Sequence, residues 1–206
     1  MLKRFAAAFC LLSAPTMAQD TAETFETDRV VLETTAGDIV VEIETERAPI
    51  TAANFLRYVD EDRLDGTVFY RAMTLEWEQP NGLIQGGVQY DPDRVLDPIA
   101  HERTSDTGVL HTAGALSMAR NAPGTATGDF SILLRAQPSM DADPESDDPE
   151  LREGYAAFGR VVEGMDTVLA IHAMPTDPDK GEGWMKGQML AEPVTIVEAR
   201  RVAGED

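Results

Sequence analysis

About seven or eight short apolar runs, each cut off by turn residues, leave room in this chain for only two stretches of helical periodicity. That pattern constrains the fold more than any other feature. Regular βαβ alternation is missing, so a parallel sheet has no crossovers to build on. Many short strands joined by turns suggest a sandwich or a barrel, and closure removes the exposed edges of a sheet. Residues 29–34 and 39–44 are two such runs, with Gly37-Asp38 marking a hairpin between them. Ile39, Val41 and Ile43 fall on one face of the second run, and Glu42 and Glu44 on the other. Residues 48–59 are predicted to be helical. Pro49 suits the first turn, and Ile50, Phe55 or Asn54, Tyr58 and Val59 form the inward face. Residues 164–171 are the second helix, with Val168 and either Ile171 or Leu169 facing in. Residues 193–199 form a closing strand, in which Val194, Ile196 and Glu198 alternate against Thr195 and Val197.

Length and charge narrow the rest. A chain of 206 residues, 43% hydrophobic, fits one domain with extensions and excludes a disordered protein. Lys3 and Arg4, an apolar run over residues 5–13, and the small residues Thr16 and Ala18 read as a secretory signal cleaved after Ala18. The apolar run is too short to span a bilayer. The expected order is a signal peptide over 1–18, a polar tether over 19–28 and a folded domain over 29–203. The mature protein is then periplasmic or secreted. Cys10 is the only cysteine, so the mature chain has no disulfide, thiolate nucleophile or cysteine metal site. Removing the cations Lys3 and Arg4 takes the formal charge from −20 to −22. Such a chain is repelled by nucleic acid and by anionic lipid.

Chemistry-bearing residues are few. Asp141, Asp143, Glu145, Asp147 and Asp148 crowd oxygen donors into one loop, yet the glycine turn of an EF-hand is absent. A solvated acidic loop is the plainer reading. His101, His111 and His172 show no paired ligand spacing, so no metal site is expected. No serine–histidine arrangement stands out. Arg71 and Gln85, in contrast, are the only long polar side chains on two short apolar runs. They are either satisfied structural residues or working ones, since a few polar groups in an apolar setting are the usual make-up of a ligand site.

Three separated segments resemble one family. Val68-Phe69-Tyr70-Arg71 followed by Leu83-Ile84-Gln85-Gly86-Gly87 is similar to the arginine and glutamine-glycine-glycine block of cyclophilins. Gly114-Ala115-Leu116-Ser117-Met118-Ala119-Arg120, with Pro123, Thr125 and Phe130, resembles their central block. Tyr155-Ala156-Ala157-Phe158-Gly159-Arg160-Val161-Val162 resembles the block before their last helix. The three occur in family order, and the resemblance covers about residues 29–200. It implies a mainly β fold: a closed eight-stranded antiparallel β-barrel capped by two α-helices, with a substrate groove on the outside. It also implies peptidyl-prolyl cis–trans isomerisation of proline-containing unfolded or flexible polypeptides, by a monomer without a cofactor.

By the same resemblance, Arg71 is the catalytic group that donates to the prolyl nitrogen in the twisted state. Gln85 helps to hold the arginine and the substrate backbone. Phe69, Leu83, Ala119, Arg120, Asp129, Ser131, Met140 and Tyr155 fall at substrate-binding positions. Leu83 belongs to an apolar pocket, Ala119 and Arg120 pair with substrate backbone, and Tyr155 closes the proline pocket. Plainer readings stand beside these. Leu83 and Ala119 are also ordinary strand residues, Arg120 a solvated loop cation, and Tyr155 an edge-strand aromatic.

The pocket departs from the family pattern. Gly82 stands where a phenylalanine is usual. Ser131 takes the aromatic floor position, Asp129 replaces a glutamine, and Ser139 beside Met140 replaces an aromatic. The loop from Arg71 to Gln85 is longer than usual and brings Trp77 and Pro80. Lost aromatic surface forfeits burial at roughly 25 cal/mol per Å², unless Trp77, Trp184, Leu133 or Met140 fills in. Two functions therefore compete: an isomerase that assists the folding of exported proteins, and a non-catalytic barrel that binds or chaperones peptide segments.

Overall fold

The computed structural model describes residues 24–202. The signal-peptide reading lies outside these residues, as does the first half of the tether. Strands β1 (Asp28–Thr34) and β2 (Gly37–Ile43) form the expected hairpin. Alternation does what the sequence implies: Val30 and Leu32, with Ile39, Val41 and Ile43, are completely buried. Helix α1 (Pro49–Asp60) follows, then β3 (Val68–Thr74) and β4 (Gly82–Gly87). A four-residue helix α2 (Thr104–Thr107) precedes β5 (Ala115–Met118) and β6 (Phe130–Leu133). The acidic loop carries a 3-10 turn (Pro138–Met140) and a short helix α3 (Pro149–Glu153), neither of which its composition announced. Strand β7 (Ala157–Glu163), helix α4 (Met165–His172), the two-residue β8 (Thr176–Asp177) and β9 (Met189–Arg201) complete the chain.

The strand order is β1-β2-β7-β5-β6-β4-β3-β9, and β9 pairs back onto β1. Every neighbouring pair is antiparallel, so these eight strands close into the barrel that the sequence implied. The small β8 pairs only with the start of β9. Helix α1 packs on β7 and β9, and α4 packs on β2, β3 and β4.

The barrel centre is aromatic. Phe130 of β6 meets Phe55 of α1 edge-on at 5.3 Å and Phe69 of β3 at 5.9 Å, while Phe55 also meets Phe158 of β7 at 5.3 Å. Two expectations about inward faces need correction. Ile50 is exposed; Thr51, Ala52, Asn54, Phe55, Leu56, Tyr58 and Val59 are the buried residues of α1. Glu198 also faces out. The register of β9 against β1 slips at Val197, since Ile196 pairs with Thr34 but Glu198 with Glu33. Such a bulge places two consecutive residues on the same side. Ile196 and Ala199 are therefore the buried residues around it.

Candidate active site

A bulge of the same kind builds the site. Phe69 pairs with Gly86 and Arg71 with Gln85, leaving Tyr70 as the extra residue of β3. Bulges re-aim side chains. Phe69 and Ala72 point into the core, whereas Tyr70, Arg71 and Met73 line a groove on the outer wall. Phe69 is thus a core residue, fully buried against Phe130, and not a substrate contact as expected. The glycine after Gln85 lets the strands approach: a Cβ on Gly86 would stand 2.8 Å from the Phe69 ring.

The groove has a volume of about 390 Å³. It brings together Arg71, Gln85, Leu83, Ala119, Arg120, Asp129, Ser131, Met140 and Tyr155, which is every other residue singled out in the sequence. Arg71 is only 3% exposed. Its Nη1 donates to Gln85 Oε1 at 2.5 Å, and its Nε and Nη2 donate to Gln188 Oε1 at 2.9 and 2.7 Å. The Trp184 ring lies over its Cζ at 4.4 Å. These partners are neutral. Burial lowers the arginine pKa below its ordinary value, and no carboxylate offsets that shift. A guanidinium stays charged even so, and it has five N–H donors. Three are taken by Gln85 and Gln188. The site therefore presents a desolvated cation with two donors to spare.

The apolar half of the groove is aliphatic and thioether rather than aromatic. Leu83, Ala115 and Leu133 form a small buried cluster outside the barrel core, and Met73 and Met140 pack on it. Gly82 is not simply a missing side chain. Its φ is +138°, and a Cβ there would fall 1.9 Å from the Met73 carbonyl oxygen. The long loop does not supply cover either: Trp77 is 56% exposed and is not part of the groove. The aromatic wall comes instead from Trp184, beside Met185, in the connection from β8 to β9.

Asp129 accepts the Gln89 backbone N–H at 3.1 Å and the Tyr70 hydroxyl at 3.2 Å. Burial raises the Asp129 carboxyl pKa, and burial beside Asp129 raises the Tyr70 phenol. Arg120 is not a solvated cation. Its Nη2 donates to Gly154 O at 2.6 Å, its Nη1 to Glu150 at 3.1 Å, and its Cζ lies 4.6 Å from the Tyr155 ring centre. The pair fixes one rim of the groove.

Beneath Ser131 lies an arrangement the sequence concealed. Ser131 pairs across the sheet with Ser117. Ser117 Oγ is 2.9 Å from His111 Nε2, and His111 Nδ1 is 2.7 Å from Asp141 Oδ1. Asp141 also accepts the His111 backbone N–H at 2.9 Å. A carboxylate only accepts, so Nδ1 carries the proton, Nε2 accepts, and Ser117 donates. The connectivity is that of a serine–histidine–aspartate relay. Ser117 and His111 are each only 1% exposed, however, so the three act as a rigid polar floor.

Burial outweighs the Asp141 contact and lowers the His111 pKa below its ordinary 6.5. The unfolded chain then takes up the proton first as the pH falls, and stability is lost below about 6.5. The stability difference between the native protein and His111→Gln should shrink from about pH 7.5 to about pH 5.5. Urea unfolding at the two pH values measures this; a difference that stays constant or grows contradicts it.

Among the described residues no group of His, Cys, Asp and Glu is placed to hold a metal. The described residues form a closed barrel with an external groove in which a buried arginine has only neutral hydrogen-bond partners. The comparisons agree with this fold. The family model of cyclophilin type peptidyl-prolyl cis-trans isomerase/CLD matches residues 29–201. A peptidyl-prolyl cis-trans isomerase of Streptomyces antibioticus, cyp18, is 34% identical over 180 residues, covering 85% of this chain and 98% of its own. One of Acinetobacter baylyi is 34% identical over 182 residues, 85% of each chain. A crystal structure of a Cryptosporidium parvum cyclophilin type isomerase shares the fold, with a TM-score of 0.65 at 20% identity over 87% of this chain and all of that one. The chain belongs to the cyclophilin-type peptidyl-prolyl cis–trans isomerases.

Proposed function

We propose that this isomerase assists the folding of exported proteins and that Arg71 stabilises the twisted X–Pro amide. Rotation is slow because nitrogen shares its lone pair with the carbonyl. No proton transfer or covalent intermediate is needed. In the twisted state nitrogen becomes pyramidal and basic, and it can accept a hydrogen bond that the planar amide refuses. Binding that appears only in the transition state is what accelerates a reaction. The observation that carries this reading is the buried Arg71, held by two neutral amides with no carboxylate and with N–H donors to spare.

The remaining groove residues fit this task. The proline ring rests on Leu83, Met73 and Met140, above Leu133, with Tyr155 at its edge. The signal-like residues 3–18 support a periplasmic or secreted location. Among the described residues no helix is long and apolar enough to cross a membrane.

NMR exchange spectroscopy on a set of Xaa-Pro peptides tests the catalytic reading. Faster cis–trans exchange with the intact protein is expected, and unchanged exchange rates sink it. Amino-terminal sequencing of the protein from an exporting host tests the location. A new terminus at Gln19 is expected; an intact Met1 in the cytoplasmic fraction overturns export.

A further inference from the structure

We propose that Trp184 forms a second subsite of the groove, which takes an apolar or aromatic side chain next to the substrate proline. This rests on the isomerase reading of the same groove. Two tryptophans are largely exposed on this molecule, and they are not alike. Trp77, 56% exposed, lies outside the groove. Trp184, 71% exposed, lies in it, with one ring face against the Arg71 guanidinium. Its other face is open.

The ring is held in place. Gln188 donates from Nε2 to the Trp184 carbonyl at 2.8 Å while its Oε1 accepts from Arg71. Backbone bonds from Gly187 to Lys180 at 2.9 Å and from Gln188 to Met185 at 3.1 Å close the loop on itself. An exposed aromatic held rigidly is pre-organised, so little freedom is lost when a ligand covers it. Gly82 and Ser131 leave the two expected aromatic positions of the sheet without a ring, and the sheet's Tyr70 is engaged through its hydroxyl with Asp129. Met185 extends the same wall. A flat apolar surface beside a cation suits a planar or branched apolar side chain, which gains burial without having to pair a charge.

The test compares the native protein with Trp184→Ala and Trp184→Phe on peptides carrying phenylalanine or glycine either before or after proline. Aromatic pairing is worth roughly a 3- to 10-fold effect. The kcat/KM preference for the phenylalanine peptide over its glycine counterpart should fall by about that factor in Trp184→Ala, on one of the two flanks, and be largely kept in Trp184→Phe. If both peptides slow together and the preference is unchanged, the ring only steadies Arg71 and the subsite is overturned. A titration in the Trp77→Phe background keeps the test independent of catalysis. Quenching of Trp184 emission by the phenylalanine peptide, tighter than by the glycine peptide, is expected even if exchange is not accelerated. Equal binding of both peptides overturns the proposal.

Discussion

Arg71→Met should lower kcat/KM for Xaa-Pro exchange by roughly a hundred- to a thousand-fold, the usual loss when one pre-organised donor is removed from a site. The barrel should stay folded. Two effects on stability oppose each other. Removing a desolvated cation without a carboxylate partner relieves a burial cost, and its direction is visible in the lowered arginine pKa. Against that, the amide oxygens of Gln85 and Gln188 lose their donors, at about 1–3 kcal/mol for each group that stays buried and unpaired. Melting and exchange should therefore separate: a modest shift in the first, a collapse in the second. Arg71→Lys should also lose most of the activity. An ammonium is a point donor and cannot serve Gln85, Gln188 and a substrate from one plane. NMR exchange with calorimetry on the same samples decides the matter. Near-native rates in Arg71→Met would remove Arg71 from the mechanism, whereas peptide binding that survives while exchange collapses is the expected mark of an interaction made only in the transition state.

Phe130→Ala should have the opposite signature. Phe130 is fully buried and touches the rings of both Phe55 and Phe69. Truncating a core phenylalanine costs about 3–5 kcal/mol, the spread reflecting how far the cavity can collapse. Collapse is resisted here, because β3 is hydrogen-bonded into the closed sheet and α1 is packed across β7 and β9. Urea unfolding should show a midpoint loss of that size with little change in slope. A loss below about 1 kcal/mol would mean that the three rings do not form the packing centre. Because β6 carries Phe130 inward and Ser131 outward, Asp129 and Ser131 depend on that centre for their position.

What could be read in the sequence followed from local periodicity and from motif order. Alternation revealed β2, and the three family blocks revealed the barrel and most of the groove. The failures have a common physical cause. Phe69 was placed in the groove with the rest of its family block, and the Tyr70 bulge that turns it away from Arg71 into the core leaves no trace in composition. Glu198 was placed inward by strict alternation, which the bulge in β9 breaks. Gln188 and Trp184 were hidden differently. Gln188 meets Arg71 across 117 positions, from a loop without periodicity. The His111–Ser117–Asp141 floor likewise depends on β5 meeting the acidic loop, a contact that only the closed sheet creates. The acidic loop itself was visible as charge, but not as a partner for a buried histidine.

The register of β9 ties the groove to the closure of the barrel. Its first residue, Met189, pairs with Arg71, and its last, Arg201, pairs with Val30. Every position between is fixed by neighbouring strands or by the bulges that interrupt them. The segment just before it, residues 178–187, belongs to no strand. Changes there leave the strand pairing alone yet reach the arginine, because the segment's Trp184 stacks on Arg71 and its carbonyl holds the Gln188 that Arg71 binds. A loop outside the barrel's hydrogen-bonded frame thus sets the surroundings of the one buried cation in the groove.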